Sequence, residues 1–311
     1  MKILKCHHTY LCTYKHAFYR WATLKLASNI KIRTFVLLIF VHAFPLITNG
    51  NPPNPRFTVF ERAKTLDNGI SVSWLEQTWD KDVLNQDNLK DVDFILLKHL
   101  GFKSIRLPVA FEFYENSHIP DGQIFSRIDK VIKQCRLYGF KLIIDYHSGN
   151  FNENNYLIET KNIIQLWLKL TMRYRHVSSD FLFFELYNEP PHMDPKIWND
   201  AALAIVTAIR RLDNNRTLII GASNYNSIYE LSRSAPITDK NIIYTYHFYE
   251  PFLFTHQGAE WVGDQEATTG VPFPYNAEKF PAIDPKAKNT DGEKNYKEYP
   301  IDGNERTVGK G

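Results

Sequence analysis

Two things are scarce in this 311-residue chain: cysteine, and basic charge outside the first 50 residues. Cys6 and Cys12 lie within those 50 residues, which leaves only Cys135 in the rest of the chain. One thiol can form neither a disulfide framework nor a cysteine metal site. Residues 51–311 carry 30 basic and 34 acidic side chains, because seven of the 37 Lys and Arg residues precede them. A nucleic-acid-binding protein would show a basic surface on its folded part, so this class is disfavoured.

A glycine-rich phosphate loop is missing as well. A doubly wound nucleotide-binding fold places such a loop after its first strand, whereas residues 74–79 here read WLEQTW. The overall composition, with 44% hydrophobic and 14% aromatic residues, is nevertheless that of a chain with one large core. A folded domain that is not a nucleotide-binding fold is therefore expected.

The first 50 residues have the order of a secretory signal. Lys25, Lys31 and Arg33 precede an apolar run at 35–47, and small polar residues follow at 49–53. The run is short for a membrane span. We predict that residues 1–50 are a leader, either a signal peptide or an N-terminal anchor, and that the protein is secreted or periplasmic. The long stretch before the run and the lack of an A-x-A site fit a start codon assigned too early, or an uncleaved anchor, equally well.

From residue 69 onward, short apolar strands alternate with longer helical patterns. The helix expected at 198–212 begins with Asp194 as N-cap and Pro195 at the first helical position. Strands recur every 25 to 40 residues or so, the spacing of right-handed β-crossover units. The strand candidates are 70–74, 104–107, 141–144, 181–186, 217–220 and 242–246, and the helix candidates are 89–100, 124–135, 163–174, 198–212 and a short one at 227–232.

Polar residues end four of these strand candidates. The clearest example is 181–191, FLFFELYNEPP, in which an almost wholly apolar run suited to a buried parallel strand breaks into an amide and a carboxylate. The carboxyl ends of barrel strands are where α/β barrels carry their chemistry. Each residue alone has an ordinary interpretation: Asn188 in a turn, Arg106 paired with a core carboxylate, or His147 as a structural histidine. Together they predict an incomplete TIM (β/α)8 barrel, with about six of the eight units present.

Four motifs carry a resemblance to a known family over roughly residues 57–260. The chain resembles glycoside hydrolase family five, the cellulase family A. The resemblance implies a retaining glycosidase that cleaves β-glycosidic bonds in a polysaccharide or oligosaccharide such as β-glucan. The motifs are SIRLP with Arg106, DYHSGN with His147, LYNEPP with Asn188 and Glu189, and YHFYEPF with His247 and Tyr249.

The resemblance also assigns roles to these residues. It implies that Glu189 is the general acid and base, and that Asn188 binds the sugar 2-hydroxyl. Arg106 would orient and charge the catalytic carboxylates. The residues that would line the subsite where the bond is cut are His147, His247 and Tyr249.

The chemistry explains these residue types. Retaining hydrolysis needs one carboxylic acid to protonate the leaving oxygen and a second carboxylate, about 5 Å away, to attack the anomeric carbon. Burial and the second carboxylate should raise the pKa of the acid, so we expect a raised pKa for Glu189. By charge alone, Arg106 should serve the nucleophile more than the acid. The candidate substrate-binding residues are Trp74, Trp79, Tyr249, Glu250 and Trp261, whereas Trp167 and Trp198, on helices, are expected to pack in the core.

One part of the family pattern is missing. The family's nucleophile is a Glu at the end of the seventh strand, and its eighth strand supplies a tryptophan. The 62 residues after Tyr249 contain no apolar run of strand length, and 258–300 resembles a loop that some members insert after the sixth strand. We therefore predict no nucleophile in this chain, and a catalytic domain at 51–311 that is truncated at its C-terminus and inactive without the remainder. The glutamates without a preceding buried strand are Glu260, Glu266, Glu278, Glu293, Glu298 and Glu305.

Two alternatives stay open at this point. A non-catalytic carbohydrate-binding protein would keep the sugar-facing aromatic residues and bind oligosaccharides equally well after Glu189→Gln. A metal-dependent hydrolase would use Asp145, His147 and His247, although neither an H-x-H nor an H-E-x-x-H spacing is present. Sugar hydrolysis by two carboxylates needs no metal, so we expect neither metal nor cofactor. The expected partner is a polysaccharide or oligosaccharide.

Overall fold

A computed structural model describes residues 57–76, 90–147, 149–264 and 267–287, together with 294 and 296. The predicted leader and the last 15 residues lie outside this part of the chain. The strands are β1 (Gly69–Ser71), β2 (Ser104–Val109), β3 (Lys141–Tyr146), β4 (Leu182–Glu185), β5 (Leu218–Ile220) and β6 (Ile242–Tyr244). Four helices are long, namely α2 (Asp91–His99), α4 (Asp121–Tyr138), α5 (Tyr156–Tyr174) and α6 (Pro195–Arg210). The shorter helices include α1 (Val59–Lys64), α3 (Phe111–Asn116), Ile228–Arg233 and Phe252–Thr255.

The six strands form one parallel sheet in chain order, from β1 to β6. Within the described residues the sheet is open, with β1 and β6 at its edges. Each predicted strand is present, with ends that differ by a few residues, and the four longer predicted helices lie in the expected gaps. Asp194 does cap α6, accepting a hydrogen bond from the backbone N of Lys196 at 2.8 Å. The incomplete α/β barrel is thus confirmed.

The two faces of the sheet differ in chemistry. Paired residues of neighbouring parallel strands share a face, so alternate residues along each strand point the same way. One face packs against the helices and carries side chains such as Ile105, Leu142, Phe184 and Leu218, all fully buried in the main core. The opposite face carries Arg106, Asp145 and Glu185, with Asp145 and Glu185 in register across β3 and β4. The second face is therefore the polar interior side of the barrel.

The two helical tryptophans belong to the core, as predicted. Trp167 on α5 is fully buried and donates from Nε1 to the carbonyl of Leu186 at 3.1 Å. Trp198 on α6 is 1% exposed and donates from Nε1 to the carbonyl of Gly221 at 2.7 Å. Both indoles therefore tie a helix to the carboxyl end of a strand, and so support the rim on which polar residues lie.

At the amino ends of the strands, helix α1 carries a buried arginine. Arg62 is fully buried and bonds to Asp180 at 2.8 Å, to the hydroxyl of Thr217 at 2.6 Å and to the carbonyl of Asn215 at 3.0 Å. Helix α1 was not predicted, although the sequence T-V-F-E at 58–61 is a capping box, and both of its reciprocal hydrogen bonds are present. Among the described residues, no helix combines the length and apolar composition needed to cross a bilayer.

Candidate active site

Arg106 is the centre of the cluster at the carboxyl ends of the strands. Its guanidinium forms a fork with Glu185, from Nε to Oε2 at 2.7 Å and from Nη2 to Oε1 at 2.8 Å. Nη2 also lies 2.9 Å from Oδ2 of Asp145 and donates to Oδ1 of Asn188 at 2.8 Å. A planar fork of donors suits such bidentate pairing with carboxylates. Three neighbouring strands are thereby joined by one side chain, and the amide of Asn188 is oriented.

The two carboxylates beside Arg106 are deeply buried. Asp145 is fully buried and Glu185 is 3% exposed. Burial and the nearby charge of Asp145 raise the pKa of Glu185, and Arg106 opposes this rise. Oδ1 of Asp145 has no hydrogen-bond partner among the described residues. Arg106 is therefore paired with two buried carboxyl groups at once.

His147 extends this cluster toward β1. Its Nδ1 lies 2.8 Å from Oδ2 of Asp145, and its Nε2 lies 3.4 Å from Oε1 of Glu76. Burial opposes the charged imidazolium, but the hydrogen bonds to Asp145 and Glu76 outweigh it and raise the pKa of His147 to about 9. His147 is therefore a cation at neutral pH, held between two carboxylates.

Glu189 forms a second contact group at the same rim. Its Oε1 is hydrogen-bonded to Nδ1 of His247 and accepts from the hydroxyl of Tyr249 at 3.1 Å. Burial acts to raise the pKa of Glu189, but the hydrogen bonds from His247 and Tyr249 outweigh it and leave that pKa below its ordinary value. This differs from the raised pKa expected from sequence, because the described groups that act on Glu189 most strongly are imidazoles and a phenol instead of a second carboxylate. Burial and Glu189 raise the pKa of Tyr249 to about 12.

The segment that carries Asn188 and Glu189 is bound on its outer side by the turn after β5. The backbone N of Asn224 donates to the carbonyl of Pro191 at 3.1 Å, and the backbone N of Tyr225 donates to the carbonyl of Pro190 at 2.8 Å. Nδ2 of Asn226 donates to the carbonyl of Asn188. The polar end of β4 is therefore held by hydrogen bonds on its inner and outer sides.

The predicted substrate-binding residues are less closely grouped than the predicted catalytic ones. Trp74 packs on Phe94 of α2, with ring centroids 5.1 Å apart. Glu250 turns back to accept from the backbone N of Phe252 at 3.1 Å. Trp261 is 74% exposed. Trp79 lies outside the described residues, so its predicted role stays a prediction.

The predicted absence of a nucleophile also stays a prediction. Of the six glutamates after Tyr249 that lack a preceding buried strand, Glu278 is exposed, and the side chain of Glu260 lies outside the described part of the chain. The same holds for the remaining members of that set, Glu266, Glu293, Glu298 and Glu305. Within the described residues, no three His, Cys, Asp or Glu side chains converge in a way that could hold a metal ion.

Three members of the site were not identified from the sequence. Glu185 was hidden inside an apolar run, and only its register with Asp145 shows that it faces the barrel interior. Glu76 lies in a segment that gives no local sign of a role in the site. Asn226 gave one usable signal: asparagine tolerates the left-handed backbone that a turn between a strand and a helix often needs.

This fold and this rim define a class of protein. A parallel sheet with helices on one face and charged side chains at the carboxyl ends of several strands is an α/β barrel with its site at the carboxyl-terminal face. Residues 64–297 match the family Cellulase (glycosyl hydrolase family 5). The chain belongs to this family, as its motifs suggested.

Characterised relatives and solved structures agree with this membership. The chain is 32% identical over 241 residues to Endoglucanase 3 of Fibrobacter succinogenes, covering 71% of this chain and 36% of that protein. It is 34% identical over 215 residues to Endoglucanase C of Acetivibrio thermocellus, covering 63% and 61%. The endoglucanase Cel5A of Thermotoga maritima shares 30% identity and a TM-score of 0.58, covering 70% of this chain and 72% of that one. The chain thus spans between 36% and 61% of these two curated relatives' length.

Proposed function

We propose that this chain takes part in the retaining hydrolysis of β-1,4-glucan, with Glu189 as the general acid and base. The observation that carries the proposal is the position of Glu189. It follows β4 at the rim, next to Asn188, and its carboxylate is held by His247 and Tyr249. The choice of substrate rests on the names of relatives, which include endoglucanases and a cellodextrinase, and on solved structures of Cel5A with cellobiose. Export to the cell exterior is part of the same proposal.

The other rim residues have parts in this proposal. Arg106 occupies the amide oxygen of Asn188, which leaves the Nδ2 donor of Asn188 for a sugar hydroxyl. Arg106 pairs with Asp145 and Glu185 and makes no described contact with Glu189, as expected if it does not serve the acid. A bound sugar would exclude water from Glu189, and a second carboxylate would bring negative charge near it; both would raise the pKa of Glu189 toward that of a working acid.

A leaving-group comparison tests the role of Glu189. The full chain is assayed with added azide, which can attack the anomeric carbon in place of a protein carboxylate. Attack breaks the bond to the leaving oxygen, and Glu189 gives its proton to that oxygen. We expect Glu189→Gln to lower cleavage of cellotetraose about 10²-fold to 10⁴-fold, the usual contribution of a general acid. Cleavage of 2,4-dinitrophenyl β-cellobioside, whose leaving group needs no proton, should fall far less.

The product and a control complete this test. Glu278→Gln, which changes an exposed glutamate whose side chain makes no described contact with the residues of the site, should leave both rates unchanged. An α-glycosyl azide from the unaltered chain would support the predicted absence of a nucleophile, whereas cellobiose released without azide as the retained β-anomer would show that the chain supplies one. Equal loss on both substrates in Glu189→Gln would overturn the acid role. Oligosaccharide binding without any cleavage would favour the non-catalytic alternative.

A further inference from the structure

The turn after β5 has an unusual backbone. Asn224, Tyr225 and Asn226 have φ angles of 56°, 60° and 57°, so three successive non-glycine residues lie in the left-handed region. Asparagine enters this region more readily than most residues, but tyrosine does so at a steric cost. Such strain persists only where the surroundings enforce it, and it concentrates at functional sites. The conformation of this turn therefore depends on the contacts that it makes.

The turn binds the chain on both sides of Glu189. Its three successive residues each donate one hydrogen bond to the segment 188–191, two from backbone N–H groups and one from the side chain of Asn226. The left-handed backbone turns the two consecutive N–H groups of Asn224 and Tyr225 toward the carbonyls of Pro191 and Pro190. A right-handed turn would orient these groups differently, so the strained conformation has a direct structural purpose.

Asn226 also contacts His247, which is one of the two hydrogen-bond partners of Glu189. Its carbonyl accepts from the backbone N of His247 at 3.0 Å, and Nδ1 of His247 is hydrogen-bonded to Glu189. Asn226 thus bonds the backbones of two residues. One is Asn188, which directly precedes Glu189, and the other is His247, whose imidazole is hydrogen-bonded to Glu189. Fixing two groups through a shared third residue is an efficient way to fix the distance between them.

The side chain of Asn226 has little freedom to do anything else. It is fully buried, and its Oδ1 has no hydrogen-bond partner among the described residues. Turning the amide over would place Oδ1 against the carbonyl oxygen of Asn188, so the donor must face that carbonyl. A Cβ added to Gly221 would lie 1.9 Å from Oδ1, so the chain has glycine where the amide needs room. A buried and unpaired oxygen costs free energy that a purely structural site would be expected to avoid.

We propose that Asn226 is a positioning residue that sets the carboxylate of Glu189 against the imidazole of His247. This inference rests on the proposed function of Glu189 for its effect on turnover, but its geometry stands on the contacts above. Asn226 does not touch substrate in this proposal. It acts through the carbonyl of Asn188 and the backbone N of His247.

A matched pair of variants tests the proposal in the full chain. Asn226→Gly and Asn224→Gly both place glycine at a left-handed position, where glycine fits without strain. Only Asn226→Gly removes a bond to the segment 188–191, because the side chain of Asn224 makes no hydrogen bond to another described residue. Gly221→Ala is a second variant, which pushes the amide of Asn226 without removing it. All variants are compared at temperatures where circular dichroism shows them folded.

Two measurements separate positioning from simple stability. In the assay with azide, Asn226→Gly and Gly221→Ala should lower cleavage of cellotetraose by about tenfold or more, because a small misplacement of a catalytic group is costly. Cleavage of the dinitrophenyl substrate should change much less. The ¹⁵N signals of the His247 imidazole should also shift in these two variants and stay in place in Asn224→Gly.

The outcomes are distinct. The proposal would be overturned by two results together. Asn226→Gly and Asn224→Gly would have the same ratio of cellotetraose cleavage to dinitrophenyl-substrate cleavage, and the His247 signals would be unshifted in both variants. If the unaltered chain cleaves neither substrate, the function given to Glu189 fails, and the His247 signals alone decide the positioning role. Shifted signals in Asn226→Gly would then support it, and unshifted signals would overturn it.

Discussion

Each end of the parallel sheet holds an arginine cluster, and the two clusters differ in their partners: carboxylates dominate at the carboxyl ends, whereas at the amino ends main-chain carbonyls are added to one carboxylate for each arginine. At the amino ends of the strands, Arg216 donates to the carbonyls of Leu182, Tyr174 and Val177 at 2.8 to 2.9 Å. Arg62 likewise bonds a carbonyl, two hydroxyls and Asp180. At the carboxyl ends, the contacts of Arg106 within the described residues go only to side chains of the interior face. Carboxylates are its main partners.

The difference separates structural from functional use of the same residue type. An arginine that bonds main-chain carbonyls satisfies groups at strand and helix ends that would otherwise be buried without partners. Its removal should act on stability. An arginine among carboxylates and an amide instead fixes the charge and orientation of side chains that meet a ligand. Removal of such an arginine should therefore lower activity as well as stability.

The largest effect on stability is expected at Arg62. Arg62→Ala leaves Asp180 and the oxygens of Asn215 and Thr217 without their buried donor. Breaking one partner of a buried ion pair costs about 3–5 kcal/mol. Urea unfolding should show this loss, with Arg62→Lys intermediate because lysine cannot reproduce the fork of donors. Unchanged stability in Arg62→Ala would remove the basis for assigning the amino-terminal cluster a structural role.

The sequence predicts the order of strands and helices better than it predicts the two arginine clusters. Strand and helix periodicity depends on side chains near in sequence, so β1 to β6 and the longer helices could be predicted. The position of the motif residues Arg106, Asn188, Glu189 and His247 at the carboxyl ends of the strands could also be predicted, because each follows or ends an apolar run, whereas their roles stay predictions. Arg62 and Glu185 could not, because their partners lie 79 to 155 positions away in sequence. A charged residue inside an apolar run gives no local sign of the charge that will face it.

The next largest effect is expected at Arg106. Arg106→Ala leaves Glu185 buried without its cation and Asp145 with His147 as its remaining cation, with a cost on the order of 3 kcal/mol at pH 8. The cost should be smaller at pH 5, because buried carboxylates without a counter-ion take up protons. In the azide assay, cleavage of cellotetraose should fall by at least about tenfold at a temperature where the variant is folded, because the amide of Asn188 loses its anchor. A variant with full activity and reduced stability would show that the two ends of the sheet play the same part.

His147 gives a smaller, pH-dependent effect at the carboxyl ends. Its pKa in the folded protein is about 9, above the ordinary value of 6.5, so the charged form stabilises the fold. That contribution is complete below pH 6.5 and is lost as the pH rises through 9. The loss should be on the order of 2 kcal/mol, measured by urea unfolding between pH 6.5 and 9.5. The groups facing His147 are the carboxylates of Asp145 and Glu76. Burial acts to raise the pKa of Glu76, but the hydrogen bond and charge of His147 outweigh it and hold that pKa below its ordinary value. In His147→Gln the dependence should largely disappear, and a persistent dependence would assign it to another group.

The smallest effect is expected at an exposed ion pair near the amino ends of the strands. Lys103, just before β2, lies 3.2 Å from Asp67, but the two side chains are 61% and 70% exposed. Water screens such a pair, and holding two mobile side chains together costs entropy, so Lys103→Ala should change the free energy of unfolding by less than about 1 kcal/mol. This variant lies at the same end of the sheet as Arg62 and also removes a cation from a carboxylate. A small effect here beside a large one at Arg62 would show that an ion pair at this end of the sheet stabilises the fold only where it is buried and supported by further hydrogen bonds. Equal effects at Arg62 and Lys103 would contradict the comparison itself.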